Sequence, residues 1–289
     1  MARSRSWLFV PANRPDRVAK AFASGADAVI MDLEDACPQS EKEPSRAVVA
    51  KAVERPTAAR AYVRINAATT SLALADLTAV IIPGLTGVVL PKAESLGVLQ
   101  SIDWAMRQIE GQRGMTVGAV ELMPLVESAL GIVDLAQIAR AALPRIRRLT
   151  FGAGDLTLDL GVRWTENESE LLPIRMGLVA ASRAAGLEPP IDTPWPAITD
   201  ATGYLRCLMQ VRDLGFGGKL LIHPNQVNAA NETFMPSAEA IAYAKRVLAV
   251  AAEAETLGRG AFQLDGRLID HVNVVQARRV LEAAREATE

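Results

Sequence analysis

Met123-Pro124-Leu125-Val126-Glu127-Ser128 and Phe151-Gly152-Ala153-Gly154-Asp155-Leu156 are the stretches whose reading decides the fold. Each is a short apolar run closed by one carboxylate and followed by a helical pattern. A carboxylate at the C-terminal tip of a buried parallel strand is where an α/β barrel places its chemistry. Two such tips in consecutive units can hold one hard cation between them, so Glu127 and Asp155 form a candidate pair.

Working outward from this pair, apolar strand-sized runs alternate with longer helical stretches, the pattern of repeated βα units and a parallel sheet. Strand candidates fall at 7–10, 28–33, 61–65, 87–90, within 117–126, and at 148–151, 190–191 and 219–222. Helices are predicted over about 15–24, 41–54, 128–142 and 171–185. The first is opened by Pro15, which suits a helix start. The positions just past the strand candidates offer, in order, Asn13, Glu34 and Asp35, Arg64 and Asn66, Lys92, Glu127, Asp155, Asp192 and His223. A (β/α)₈ TIM barrel with its site at that rim accounts for a polar group at the end of nearly every strand. An open doubly wound sheet is the runner-up. It would want a Gly-rich phosphate loop after the first strand, and Pro11-Ala12-Asn13-Arg14 is not one.

Past the eighth unit, 237–257 has strong helical character, Gly258-Arg259-Gly260 breaks the chain, 262–269 reads as a hairpin around Asp265-Gly266, and a last helix covers about 273–287. The barrel is therefore assigned to 1–257 and a C-terminal extension to 258–289. The extension is too small to stand alone and is expected to pack on the barrel or on a neighbouring subunit.

Composition narrows the function. The chain has 289 residues, half of them hydrophobic, enough for one large α/β barrel or two ordinary domains. A formal net charge of −2 leaves no electrostatic footprint for nucleic acid. The longest apolar runs are strand-sized, which argues against a membrane span, and 7–10 is too short for a signal-peptide core. Cys37 and Cys207 form no CxxC pair, so no zinc knuckle or disulfide framework is indicated. A cytoplasmic protein is expected.

Glu127 and Asp155 are hard oxygen donors with no histidine or cysteine beside them, which suits Mg²⁺. A competing reading makes Glu127 the cap of the helix at Ser128 and Asp155 the cap of a turn. Arg64, ending an apolar strand, can grip a carboxylate or a developing enolate oxygen, or form a structural ion pair. Asp32 and Glu34 share one side of their strand and can orient Arg64 or a metal-bound water. Lys92 suits a phosphate or a structural salt bridge. His223 either binds substrate or caps the rim. With His223 and His271 as the only histidines, a three-histidine zinc site is excluded. Neither Ser128 nor Cys37 has a histidine in a triad arrangement. Gly152-Ala153-Gly154 is too short for a dinucleotide fingerprint and permits close backbone approach.

Several motifs resemble the citrate lyase β-subunit family within the HpcH/HpaI aldolase superfamily. They are Arg5-Ser6-Trp7-Leu8-Phe9-Val10-Pro11, Asp27-Ala28-Val29-Ile30-Met31-Asp32-Leu33-Glu34-Asp35, Val63-Arg64-Ile65-Asn66, Leu90-Pro91-Lys92, Phe151-Gly152-Ala153-Gly154-Asp155-Leu156, Gly215-Phe216-Gly217-Gly218-Lys219, Ile222-His223-Pro224-Asn225-Gln226 and Asp265-Gly266-Arg267-Leu268-Ile269-Asp270.

The resemblance implies a Mg²⁺-dependent carbon–carbon lyase on a (β/α)₈ barrel, usually a homo-oligomer (trimer or hexamer), acting on an acyl-CoA or acyl-carrier thioester. It implies that Glu127 and Asp155 are the metal ligands and Arg64 the substrate-binding arginine. It also implies that Asp270 reaches a neighbouring subunit's site as an acid/base, as in the malyl-CoA and citramalyl-CoA lyase branch. On this expectation Arg64, Asp270 and Glu34 are catalytic, while Arg64, Lys92, Asp32 and His223 touch substrate. Three departures line the same mouth. Gly154 stands where the family commonly has Glu, Ser128 where it has Thr, and Thr193 where it has Gly. Alternatives are a class II pyruvate aldolase acting on a free hydroxy-keto acid, a thioester hydrolase, and a citrate lyase β subunit that works only with an acyl-carrier partner.

Overall fold

A computed structural model describes residues 5–55, 57–256 and 260–286. Its eight barrel strands are β1 (Ser6–Pro11), β2 (Ala28–Asp32), β3 (Arg60–Arg64), β4 (Gly87–Leu90), β5 (Glu121–Val126), β6 (Thr150–Phe151), β7 (Ile191–Asp192) and β8 (Gly218–Leu221). Each pairs in parallel with the next, and β1 also pairs with β8, so the sheet closes into the expected (β/α)₈ barrel.

Period-two alternation divides each strand between two cores. Trp7, Ala28, Ile30, Tyr62, Val89, Met123, Leu125, Ile191 and Leu220 form one cluster across the strands. The intervening Val29, Met31, Leu122 and Leu221 are equally buried. Both faces of the sheet are covered, which is why these strands read as unbroken apolar runs. Burial of each such Leu, Ile or Val stabilises the fold by about 1.5–3 kcal/mol. At the end of the barrel where β5 begins, Glu121 accepts Arg148 Nη1 at 2.9 Å and the Tyr62 hydroxyl at 2.9 Å. These bonds satisfy a buried carboxylate.

Among the described residues the structure adds five α-helices to which the sequence reading gives no range: Ala73–Val80, Leu96–Gln112, Ala153–Leu160, Val227–Thr233 and Ala201–Leu214. The last is capped by Asp200, whose side chain accepts the Gly203 N–H at 2.9 Å. The single helix expected over 128–142 is two short ones, Ala129–Val133 and Leu135–Ala139, broken at Asp134 (ψ 7°).

The chain divides into two compact units between Asn231 and Glu232. The expected boundary at 257/258 and the break at Gly258-Arg259 lie outside the described residues. Helix Ala238–Thr256, assigned above to the barrel, instead groups with the C-terminal unit. Its Ala244 and Val247 share a core with Ile269 and with Ala277 of helix His271–Glu286. The hairpin is present as β9 (Phe262–Leu264) and β10 (Arg267–Ile269), turned by Asp265 and Gly266. Both turn residues have positive φ, the twist-matched geometry that Asp-Gly favours. No described helix is long and apolar enough to cross a membrane.

Candidate active site

Glu127 follows the last residue of β5 and is 4% exposed. The next helix is capped by Ser128, whose hydroxyl accepts the Gly131 N–H at 3.2 Å. Glu127 is thereby released from the capping role that the sequence left open to it. Its Oε1 accepts the backbone N–H of Lys92 at 3.0 Å. Burial, with the like charges of Glu34 and Asp155, pushes its carboxyl up to about 8 against the opposing pull of Arg64.

Asp155 lies in the first turn of helix Ala153–Leu160, whose N-cap residue is Gly152. The Thr193 hydroxyl accepts the Ala153 N–H at 2.9 Å and so fixes the start of that helix. Thr193 is one of the departures noted above, and its tertiary role has no signal in the local sequence.

Arg64 ends β3 and forks onto Asp32, with Nε–Oδ1 at 2.8 Å and Nη2–Oδ2 at 2.5 Å. Its Nη1 stands 3.1 Å from Glu34 and 3.3 Å from Asp35, and the guanidinium lies 5.1 Å from the centre of the Phe9 ring. Burial opposes its charge, but Asp32 more than offsets this and holds the Arg64 pKa above its usual range. The Glu34 approach is an ion pair without hydrogen-bond alignment. Burial therefore dominates at Glu34, and with Asp35 and Asp32 nearby its carboxyl rises to about 7.

Arg64, Glu127, Asp155 and Asp35 open into one cavity of ≈ 250 Å³ whose walls include Phe9, Leu125, Trp164, Pro194, Leu220 and Ile222. The donors are hard oxygens. Among the described residues no three His, Cys, Asp or Glu side chains form a closed metal cage. An open two-carboxylate site is the arrangement in which a Mg²⁺-type cation keeps waters and takes substrate oxygens. Asp32, Glu34, Asp35, Glu127 and Asp155 also outnumber the Arg64 cation, so a divalent ion would offset part of the site's negative charge.

The other expected substrate contacts fall elsewhere. Asp32 is 1% exposed, and besides Arg64 it accepts the N–H groups of Glu34 and Ala36 at 2.9 and 3.0 Å. Its oxygens are committed, so it holds Arg64 from below and is not a substrate contact. Lys92 has an exposed side chain and a positive φ of 49°, and what it offers the site is its backbone N–H. The His223 Nδ1 accepts the Asn225 N–H at 3.2 Å, which makes it the cap of the turn Pro224–Gln226. Ile222, its neighbour, lines the cavity. Asp192, expected at the rim, is fully buried between Arg175 and Lys219. In the C-terminal unit, Asp270 Oδ1 accepts the N–H groups of Val272 and Asn273 at 2.9 and 3.4 Å, and so caps helix His271–Glu286.

Residues 5–224 match the family model described as HpcH/HpaI aldolase/citrate lyase. The chain belongs to this family. It is 33% identical to the citrate lyase subunit beta of Haemophilus influenzae over 99% of this chain and 98% of the relative. It is also 33% identical to the (3S)-malyl-CoA thioesterase of Cereibacter sphaeroides, over 97% of this chain and 94% of that one. Among solved structures it resembles the CitE protein of Mycobacterium tuberculosis in complex with magnesium, acetoacetate and coenzyme A. That match has a TM-score of 0.80 and 31% identity, covering 98% of this chain and 99% of the other. The barrel and the family expectation are thus borne out, and the relatives named are enzymes or their subunits.

Proposed function

We propose that this member of the HpcH/HpaI family is a Mg²⁺-dependent carbon–carbon lyase that cleaves a 3-hydroxyacyl thioester of the malyl-CoA, citramalyl-CoA or citryl type into an acyl thioester and a 2-oxo acid. The observation that carries this reading is the opening of Glu127, Asp155 and Arg64 into one cavity. Glu127 and Asp155 would hold the ion, and the relative solved with magnesium, acetoacetate and coenzyme A supports Mg²⁺ as its identity. A bound Mg²⁺ supplies Lewis-acid stabilisation of charge on the oxo-acid oxygens, worth several kcal/mol.

The remaining steps belong to this chain's residues. Arg64, locked on Asp32, meets a substrate carboxylate or enolate oxygen without reorganising. Glu34, paired with the cavity-lining Arg64 at 3.1 Å and with its carboxyl raised to about 7, is the candidate to take the substrate hydroxyl proton as the carbon–carbon bond breaks. The electron pair of that bond passes to the thioester α-carbon, which is then protonated. Asp270 is the candidate for that last transfer, delivered by a neighbouring subunit in a homo-oligomer. A thioester hydrolase on the same scaffold is the second reading, favoured by the malyl-CoA thioesterase relative.

Purified protein with Mg²⁺ is to be assayed by mass spectrometry against malyl-CoA, citramalyl-CoA, 3-hydroxy-3-methylglutaryl-CoA and free 4-hydroxy-2-oxo acids. Metal-dependent release of acetyl-CoA is expected. Free CoA with an intact hydroxy acid would assign the hydrolase. Cleavage of the free acids alone would assign an aldolase, and activity that appears once an acyl-carrier protein is added would assign the partner-dependent subunit.

A further inference from the structure

Trp164 lies in the segment between helix Ala153–Leu160 and the turn Ser169–Leu171, and its ring forms part of the cavity wall. A long aromatic side chain on such a segment would ordinarily sample several positions. Here the indole Nε1 donates to Glu168 Oε1 at 3.1 Å. Glu168 is 1% exposed and non-glycine, yet it holds a left-handed backbone at φ 52°. That conformation persists where surrounding structure dictates it.

The other oxygen of Glu168 accepts Arg175 Nη2 at 2.7 Å and the Cys207 thiol at 3.2 Å. Arg175 continues to Asp192 Oδ1 at 2.8 Å, and Asp192 pairs with Lys219. Asp192 and Lys219 belong to β7 and β8, so the indole is tied through a buried chain of charges to the barrel wall itself. The segment is pinned a second time by Glu170, which accepts the Thr165 N–H at 2.7 Å.

The wall so fixed is apolar, with Phe9, Leu125, Leu220 and Ile222 continuing it. Among the described lining residues the one cation is Arg64, and Asp32, Glu34 and Asp35 already surround it. Gly154 is an exposed residue of the cavity lining, and a Cβ there would meet nothing within 4 Å, so the mouth of the cavity is open beside Asp155. Of the side chains that line the cavity, the indole and the aliphatic groups are those an apolar substituent can pack against. A second carboxylate there would give up hydration against this apolar wall and face Asp35 and Asp155, with no uncommitted cation among the described lining residues.

We propose that the site takes a 2-oxo monoacid fragment with an apolar substituent in preference to a 2-oxo diacid, that Trp164 is the residue that reads this substituent, and that Glu168 is its positioning residue. The inference rests on the oxo-acid reading of the site given above, and within it favours the citramalyl type, whose 2-oxo product is a monoacid with an apolar substituent, over the citryl type, whose product is a diacid.

The test is calorimetric titration of the Mg²⁺-loaded full chain with 2-oxopentanoate and with 2-oxoglutarate, which match in chain length and differ in the terminal group. 2-Oxopentanoate is expected to bind at least about tenfold tighter. Trp164→Ala should erode that ratio with Mg²⁺ affinity unchanged, and Trp164→Arg should shift it toward the diacid. Glu168→Ala should reproduce the Trp164→Ala ratio and Glu168→Gln, which keeps an acceptor for the indole, should restore it. A ratio of affinities is read from folded protein alone, so loss of stability in a Glu168 variant does not imitate the effect. Equal or tighter binding of 2-oxoglutarate, or a ratio indifferent to Trp164, overturns this inference and leaves the lyase reading standing. Failure of both acids to bind while Mg²⁺ still does overturns the two together.

Discussion

A Cβ placed on Gly152 would stand 2.6 Å from the Glu127 Oε2 atom, closer than real contacts allow. Glycine at 152 is therefore part of the seat for the candidate metal-binding carboxylate. Gly152→Ala should displace Glu127 and weaken Mg²⁺ binding by about 10–100-fold, the range seen when groups supporting a ligand are lost. Gly154→Ala, which meets open space, is the matched control and should leave Mg²⁺ affinity nearly unchanged. Mg²⁺ titration of the two variants checks both outcomes.

Replacing the carboxylate itself separates a ligand from a bystander. Glu127→Gln keeps shape and removes charge, so Mg²⁺ affinity and turnover should fall together. Mg²⁺ affinity equal to the parent's would remove Glu127 from the metal site.

The raised Glu127 carboxyl predicts how Mg²⁺ binding follows pH. With its pKa near 8, the group holds a proton at neutral pH, and binding must expel it. Mg²⁺ affinity should climb as pH rises toward about 8 and level off above, with proton release visible as heat that depends on the buffer. The stability of the metal-free protein should move the other way. A carboxyl raised above its unfolded value of 4.5 contributes stability that is lost as pH climbs from about 4.5 to 8. Thermal unfolding with and without Mg²⁺ across that window measures both slopes.

Asp32 is placed to hold Arg64 and to stay clear of substrate. Asp32→Ala strips a buried guanidinium of its forked partner and should cost toward the lower end of about 3–5 kcal/mol, since Glu34 and Asp35 remain. Asp32→Asn retains one acceptor and should lower turnover more than it lowers Mg²⁺ affinity. Chemical denaturation and steady-state kinetics distinguish this from a direct substrate contact, for which stability would hold.

Asp270 carries two assignable roles that one pair of variants separates. Asn caps helices as well as Asp, so Asp270→Asn should keep the last helix intact and cut turnover while sparing Mg²⁺ binding. Asp270→Ala should lose about 1 kcal/mol of stability as well. Full turnover in Asp270→Asn would leave the cap as its sole role.

What the sequence by itself determined is the barrel, the family and the strand-tip carboxylates, because each is written locally. Apolar runs buried on both faces mark parallel strands, and the residue after a strand is at the rim wherever the barrel closes. That logic reached Glu127, Asp155 and Arg64, and it anticipated close backbone approach at Gly152. It failed at Asp192, since a two-residue strand gives no alternation from which to tell a rim position from the layer beneath the helices. Tertiary structure alone decided that Ser128 caps in place of Glu127, that Asp32 serves Arg64, and that helix Ala238–Thr256 joins the C-terminal unit. It also brought Trp164 to the cavity, because a side chain on an irregular segment is aimed by partners such as Glu168, Arg175 and Asp192, whose meeting no local pattern records.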